Sequence, residues 1–255
     1  MPSQPLKKAV SNRKRETRGG NDVREGHDDR KKKVEVLKRI QLFQFLSDDE
    51  LHAIWPKVVF REFKKGQLIL REQQTNEFMY IVIRGKVKIF QISEDGRERI
   101  LSLHNTGEFF GEMSLIDGAT SPATVSSLEP STVAIISRSD FYALLHSQSK
   151  ILNNLLNILC CRLRDSWKKI QMLTFHDASD RVKMLLMMLA ESHGEKTDRG
   201  TVLNIKLIHQ NIADMTSLTR ETVTRVLDRF VKSGEITILS NKLIQLNPEF
   251  NSIPL

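Results

Sequence analysis

Residues 216–230 read TSLTRETVTRVLDRF, with Arg220, Glu221, Arg225 and Arg229 set among β-branched residues. Val223, Val226 and Leu227 keep a helical apolar period, so the polar side chains crowd the start of the opposite face. An arginine suits guanine O6 and N7 in a two-pronged contact, and a glutamate accepts from the N4 amino group of cytosine. Such a face fits a groove of DNA. It equally fits a solvated helix face laced with charge pairs. The neighbouring elements bear on the choice.

Ile212 and Ala213 upstream, Leu218 between, and Val223 and Val226 downstream supply apolar contacts for two crossed helices, and small Ala213 permits a close approach. Thr219 is placed to cap the second helix. That leaves Thr219, Arg220, Glu221, Thr222 and Arg225 at its exposed N-terminal half, the part that enters the major groove in this geometry. Thr219, Thr222 and Lys232 suit phosphate contacts, which position a protein without reading sequence. Before this pair come a buried apolar helix in SDRVKMLLMMLAES, a loop in HGEKTDRG and a short strand in VLNIKL; after it, TILSNKLIQL reads as a hairpin about Ser240 and Asn241. Residues 177–250 therefore have a winged helix-turn-helix layout.

Residues 139–176 form the next unit upstream, a long helix. Leu152, Leu156, Leu159, Leu163, Ser166, Ile170 and Leu173 are spaced alternately four and three apart, a heptad seam. So narrow a stripe predicts a parallel homodimer joined along this helix, with Leu152, Leu156, Leu159, Leu163 and Ile170 at the interface. Ser166 interrupts the seam, either to set register or touch a bound molecule, or simply bonded back to its own helical turn. Cys160 and Cys161, the only cysteines, are expected to be buried as small hydrophobes. They form no disulfide framework and are too few for a four-cysteine zinc or iron–sulfur site.

Residues 34–138 make a domain that opens with helices, Ser47 capping the second of them, and continues from Val58 to Ser137 as short β runs. Gly66, Gly85, Gly96, Gly107 and Gly118 fall where strands turn. Arg84-Gly85-Lys86 reads as a bend or tight hairpin. The fold class is α+β: an antiparallel β-roll (cupin- or jelly-roll-like), a long dimerisation helix and a winged helix-turn-helix. Residues 1–33, rich in lysine and arginine and poor in apolar side chains, are expected to be a disordered basic arm. The formal net charge of +8 favours a polyanionic partner. No apolar run is long enough for a membrane span and no signal-peptide core is present, so a cytoplasmic location without membrane contact is expected.

Residues 34–250 resemble the CRP/FNR family of bacterial transcription regulators. The resemblance is carried by RGKVKIFQISEDGRERILSLHNTGEFFGEMSLIDG and by SLTRETVTRVLDRF. It implies a cyclic-nucleotide-binding-type roll, a dimer on double-stranded DNA and contact with RNA polymerase. Arg220 and Arg225 match the family's guanine-reading arginines and Glu221 its cytosine-reading carboxylate, which implies an inverted repeat with TGTGA-like half-sites.

On the effector side the match departs from the pattern. Members that bind cyclic AMP carry a segment like GELALLDGxPRSATV, in which Glu holds the ribose and Arg-Ser the phosphate. Here Gly111 and Glu112 are in place, but Ser121 and Pro122 stand at the arginine and serine positions. Proline has no N–H, and no Lys or Arg occurs between Glu112 and Ser137. Cyclic AMP held by the usual contacts is therefore not expected. The alternatives are a rearranged phosphate site for cyclic AMP, another small-molecule effector, or none. Ser166 and Trp167 match the family's adenine-contacting positions; Trp167 either closes the pocket over a planar ligand or covers the roll as a half-buried aromatic. Glu112 could also serve only backbone N–H groups at a turn. His104 and His146 are the candidates for a haem ligand, and a metal site is not expected. No catalytic residue set or phosphate-cradling loop is evident, so an enzyme is not expected either.

Overall fold

The computed structural model describes residues 34–251 apart from 95 and 176; the basic arm at 1–33 lies outside the described residues. A short helix at residues 34–38 and a 3-10 turn at Gln41–Phe43 bury Val34, Leu37, Leu42 and Phe43. Helix α1 (Asp48–Ile54) starts as its sequence predicts. The Glu50 N–H donates to Ser47 Oγ, the Ser47 N–H donates to Glu50 Oε2 at 2.6 Å, and three carboxylates occupy the first turn.

Eight strands then build two four-stranded antiparallel sheets. One has the order β1 (Val58–Phe63), β8 (Ser131–Ser137), β3 (Phe78–Arg84), β6 (Phe109–Phe110). The other runs β2 (Leu68–Leu70), β7 (Thr124–Ser127), β4 (Val87–Ile92), β5 (Glu98–His104). Strands β3 and β8 hold unbroken apolar runs, Phe78–Ile83 and Val133–Ile136, because both faces are covered. Tyr80, Val82, Val133 and Ile135 point between the sheets, while Met79, Ile81, Ala134 and Ile136 pack outward on helices. Arg84-Gly85-Lys86 turns the chain from one sheet to the other, so it is a corner and not a hairpin. Gly85 has φ +89°, and a Cβ there would lie 2.4 Å from Ser131 Oγ.

Beyond the short helix α2 (Glu112–Asp117), the helical region holds two helices where one was expected. Helix α3 (Arg138–Ser147) is capped by Ser137, and α4 (Ser149–Phe175) follows a break at Gln148. At 27 residues, α4 is about 40 Å long. Helix α5 (Ala178–His193) is capped by Asp177, whose carboxylate accepts from the N–H groups of Ser179 and Asp180. The expected loop HGEKTDRG proves to be a hairpin of β9 (Gly194–Thr197) and β10 (Gly200–Leu203). Every β9 side chain is exposed, so no apolar alternation marked it; backbone pairing holds it. Helices α6 (His209–Thr216) and α7 (Arg220–Lys232) and the wing strands β11 (Ile236–Ile238) and β12 (Ile244–Leu246) complete the unit, with sheet order β11-β12-β10-β9.

The C-terminal unit does not stand apart from the roll. Phe90, Ile100 and Leu103 on the outer face of the second sheet share a core with Met172, Leu185, Leu189 and Ile212. Lys86 Nζ also donates to the Asn204 carbonyl, and Asn105 Nδ2 lies 3.2 Å from His193 Nδ1. No helix among the described residues is long and apolar enough to cross a membrane.

Candidate nucleic-acid interface and effector cavity

The reading face is built by burying its reverse. Ile212 and Ala213 of α6 and Val223, Val226, Leu227 and Phe230 of α7 are buried, which fixes the rotation of α7. The chain turns between the helices at Ser217, in the left-handed region at φ +55°. Thr219 then caps α7, its Oγ1 accepting from the Thr222 N–H at 3.2 Å. Thr219, Arg220, Glu221 and Arg225 are exposed and Thr222 is half-buried. Among the described residues the Arg220 and Glu221 side chains have no hydrogen-bond or ion-pair partner, so this face is not laced with charge pairs. The Arg225 guanidinium reaches Thr222 Oγ1 at 3.4 Å. Arg229 bonds Ser179 on α5 and so belongs to the scaffold. Lys232 is exposed in the last turn.

Helix α4 carries two apolar faces. Ile151 and Leu155 are buried and Leu159 is half-buried against the roll, while Met172 is buried in the core shared with the C-terminal unit. Leu152, Leu156, Leu163, Ile170 and Leu173 are exposed, Ile170 to 60%. Four of the five residues expected at the interface are therefore exposed, whereas the fifth, Leu159, packs in part against the chain's own roll. Cys160 and Cys161 are exposed; they fall on the side of α4 turned away from the roll, which overturns their expected burial. Trp167 is 61% exposed and does not cover the roll. Ser166 is exposed too, and its hydroxyl donates to the Arg162 carbonyl at 2.9 Å, the bond back to its own turn.

A cavity of about 760 Å³ lies between the roll, α4 and α5. Gly111, Glu112, Ser121, Pro122 and Ser166 line it, as expected of them; Trp167 does not. Gly111 enters α2 with φ +84°, which sets Glu112 in the first turn. Glu112 is only 3% exposed, and its carboxylate meets Arg162 Nη1 at 2.7 Å. It is thus part of a buried ion pair, with a backbone N–H of its own turn also bonded to it. Burial pushes its carboxyl above the usual range, with the Arg162 charge opposing that shift. Arg162 also donates from Nη2 to the Phe109 carbonyl at 2.6 Å and stacks 4.5 Å from the Phe109 ring centroid.

At the Ser121 and Pro122 end of the cavity the polar atoms are bonded within the chain. Ser121 is buried, its hydroxyl donating to the Ala123 carbonyl and its N–H to the Gln74 carbonyl. The Pro122 carbonyl accepts from Gln91 Nε2. Yet the cavity is not without cations, because α4 brings Arg162 and Lys169 to it. Lys169 Nζ donates to the Leu101 carbonyl at 2.7 Å, and burial pushes its ammonium down. Both lie outside residues 112–137, the segment whose sequence carries no Lys or Arg. The available signal was helical spacing, since Arg162 lies one turn before Ser166 and Lys169 two turns after Arg162.

His104 also lines the cavity. Its Nδ1 has no hydrogen-bond partner among the described residues, and burial, reinforced by Arg162 and Lys169, holds its pKa well below the ordinary value. His146 is outside the cavity, its Nδ1 2.7 Å from the Tyr142 carbonyl. Among the described residues no three metal-ligating side chains cluster. On the far side the cavity is bounded by Leu185, Met188, Leu189 and Met215, residues of the C-terminal unit.

Comparison with known proteins agrees with this two-part organisation. The family model of the cyclic nucleotide-binding domain matches residues 60–148, and that of the Crp-like helix-turn-helix domain matches residues 180–249. The Cyclic AMP receptor protein of Thermus thermophilus is 29% identical over 79% of this chain and 90% of its own length. The cAMP-activated global transcriptional regulator CRP of Pasteurella multocida is 33% identical over 65% of this chain and 79% of its own. A solved structure of the c-di-GMP responsive global regulator CLP from Xanthomonas campestris superposes with a TM-score of 0.66, at 25% identity, over 79% of this chain and 99% of that one.

Proposed function

Because the chain belongs to the CRP/FNR family of transcription regulators, we propose that it is a homodimer that reads an inverted repeat with TGTGA-like half-sites. Arg220 and Arg225 take guanine edges, Glu221 takes a cytosine amino group, and Thr219, Thr222 and Lys232 take phosphates. The observation that carries this reading is the free face of α7: Arg220 and Glu221 are exposed and unpaired while the opposite side is locked in a core. Two such helices, joined through the exposed leucine seam of α4, face successive major grooves, and RNA polymerase is the downstream partner. The relatives compared are transcription regulators, and this chain is read as a regulator and not an enzyme.

The effector site is the cavity between roll and α4, with Glu112 and Arg162 at its centre. The effector is not cyclic AMP held in the usual way, because the Ser121 and Pro122 end offers no cation and its polar atoms are already bonded. A second reading is favoured by Arg162: a cyclic nucleotide whose phosphate displaces Glu112 from that guanidinium. That the relatives are described as answering to cyclic AMP or to c-di-GMP supports a cavity open to more than one effector.

The test is a gel-shift titration on a TGTGA inverted repeat and on single-base variants, at several salt concentrations. Specific binding should fall steeply with salt, and Arg220→Ala should cost about 1–3 kcal/mol of discrimination at one base pair. Uniform loss on all sequences would overturn the assignment of Arg220. A thermal-shift titration with cyclic AMP separates the two effector readings, since a bound ligand raises stability by mass action.

A further inference from the structure

Two cations line the cavity, and their surroundings differ. Arg162 is paired with Glu112 at 2.7 Å. Lys169 has no ion-pair partner among the described residues; its Nζ donates to the Leu101 carbonyl at 2.7 Å, on the wall formed by β5. The other carboxylates that line the cavity are engaged elsewhere. Glu108 accepts from the Asn105 N–H at 2.6 Å and Asp117 from the Ala119 N–H at 2.9 Å, while Asp165 and Glu191 hold Lys168 at 3.6 and 3.0 Å. Asp165 favours the Lys169 charge from one turn away without pairing with it. The stem of a lysine is long enough to carry its ammonium out to water. Lys169 instead keeps its head on a strand carbonyl, where burial pushes the ammonium down. A positive charge drawn partly out of water without a counter-charge is a cost to the folded chain.

A second group in the cavity is also unmet. His104 lines it, is 5% exposed, and its Nδ1 has no hydrogen-bond partner among the described residues. Arg162 and Lys169 of α4 and His193 of α5 all act against a positive charge on its ring. One addition relieves both groups: a negative charge delivered between β5 and α4. The surroundings at this end are apolar. Lys169 lies one turn before Met172, which is buried in the core that Leu185 and Leu189 share, and those leucines bound the cavity together with Met188.

We infer that the cavity takes an organic acid, its single carboxylate on Lys169 and its aliphatic or aromatic body along Leu185, Met188 and Leu189. One unmatched cation calls for one negative charge; a doubly charged phosphate would exchange a lone cation for a lone anion. The acid head sits at the end of the cavity next to the C-terminal unit, apart from the Ser121 and Pro122 end, and touches β5 and α4 while its body reaches α5. This inference rests on the effector reading above and gives that effector a chemical class.

The test is isothermal titration of the full-length protein with octanoate, phenylpropionate and naphthylacetate, each beside its neutral primary amide at the same pH. At least one acid should bind about tenfold or more tighter than its amide, the worth of one charge-assisted hydrogen bond. Lys169→Met should bring acid and amide to equal affinity, and Lys169→Arg should keep the preference. Lys169→Gln serves the same purpose should the methionine variant not fold. Met188→Trp, which fills the apolar wall, should weaken acid and amide alike.

Acid and amide that bind equally, both weakened by Met188→Trp, overturn the acid head and leave an effector cavity standing. An acid preference that survives Lys169→Met overturns the assignment of Lys169, and one indifferent to Met188→Trp puts the acid outside the cavity. No binding by any of the acids overturns the class, whatever cyclic AMP does in the thermal-shift titration above, which tests the cavity independently.

Discussion

Arg162→Met should strand the Glu112 carboxylate. The pair is 2.7 Å apart, with Glu112 4% and Arg162 29% exposed at the side chain. Removing one partner of a buried pair costs about 3–5 kcal/mol, and partial access of water at Arg162 places this case near the low end, about 3 kcal/mol at pH 7. Glu112→Gln/Arg162→Met removes both charges and should recover to within about 1 kcal/mol of wild type. The loss should also depend on pH in a defined sense. Burial already holds the Glu112 carboxyl above its ordinary 4.5, and losing the guanidinium that opposes this raises it further. A folded-state pKa above the unfolded value gives stability that is present in acid and lost as pH rises through the folded pKa. The deficit of Arg162→Met should thus be largest at pH 7 and shrink toward about pH 5. Urea unfolding at both pH values, at fixed protein concentration because a dimer's stability depends on it, reads this out. A cost below about 1 kcal/mol that does not change with pH would refute the argument, since it would mean Glu112 is solvated or already protonated in the native protein.

Gly85→Ala should destabilise the roll by about 2–3 kcal/mol in urea unfolding, because the residue sits at φ +89° and the new methyl meets Ser131 Oγ and the Pro130 carbonyl. Thr219→Ala removes the cap of α7 and should cost about 1 kcal/mol, with weaker binding to all DNA sequences alike in gel shifts. His104 is held neutral by burial beside Arg162 and Lys169, so its depressed pKa gives stability that is present above the ordinary value of 6.5 and is lost as pH falls below it. His104→Leu should flatten that fall between about pH 6.5 and 5, and an unchanged profile would show that His104 is not its source. Ser166→Cys, in a chain with Cys160→Ser and Cys161→Ser, should form an intersubunit disulfide on mild oxidation, visible on a non-reducing gel, because a d residue meets its own copy across a parallel seam; a chain that stays single refutes the register.

Local pattern carried much of this molecule. The Ser47 and Thr219 caps, the burial of Val223, Val226 and Leu227, and the exposed seam positions Leu152, Leu156, Leu163 and Ile170 follow from spacing within one element, although Leu159 between them packs on the roll. Features set by how elements meet were not legible. Arg162 finds Glu112 across fifty positions only because α4 presents that face to the roll. Phe90, Ile100 and Leu103 read as ordinary strand residues, and nothing local says that they shelter under the C-terminal unit. Strand β9 lacks an apolar side, so only its register with β10 reveals it. The cysteines read as buried because their type usually is; the turn of α4 decides otherwise.

Leu185, Met188 and Leu189 belong to α5, the helix on which the reader unit is mounted, and yet they bound the same hollow as Glu112 and Arg162. Whatever lodges there acts as a shim between two machine parts. On the effector reading proposed above, its thickness would set the tilt of the mount directly, without a relay of intervening groups. Trimming or padding those three side chains would therefore retune which guest gives the working tilt while leaving the DNA-contacting face untouched.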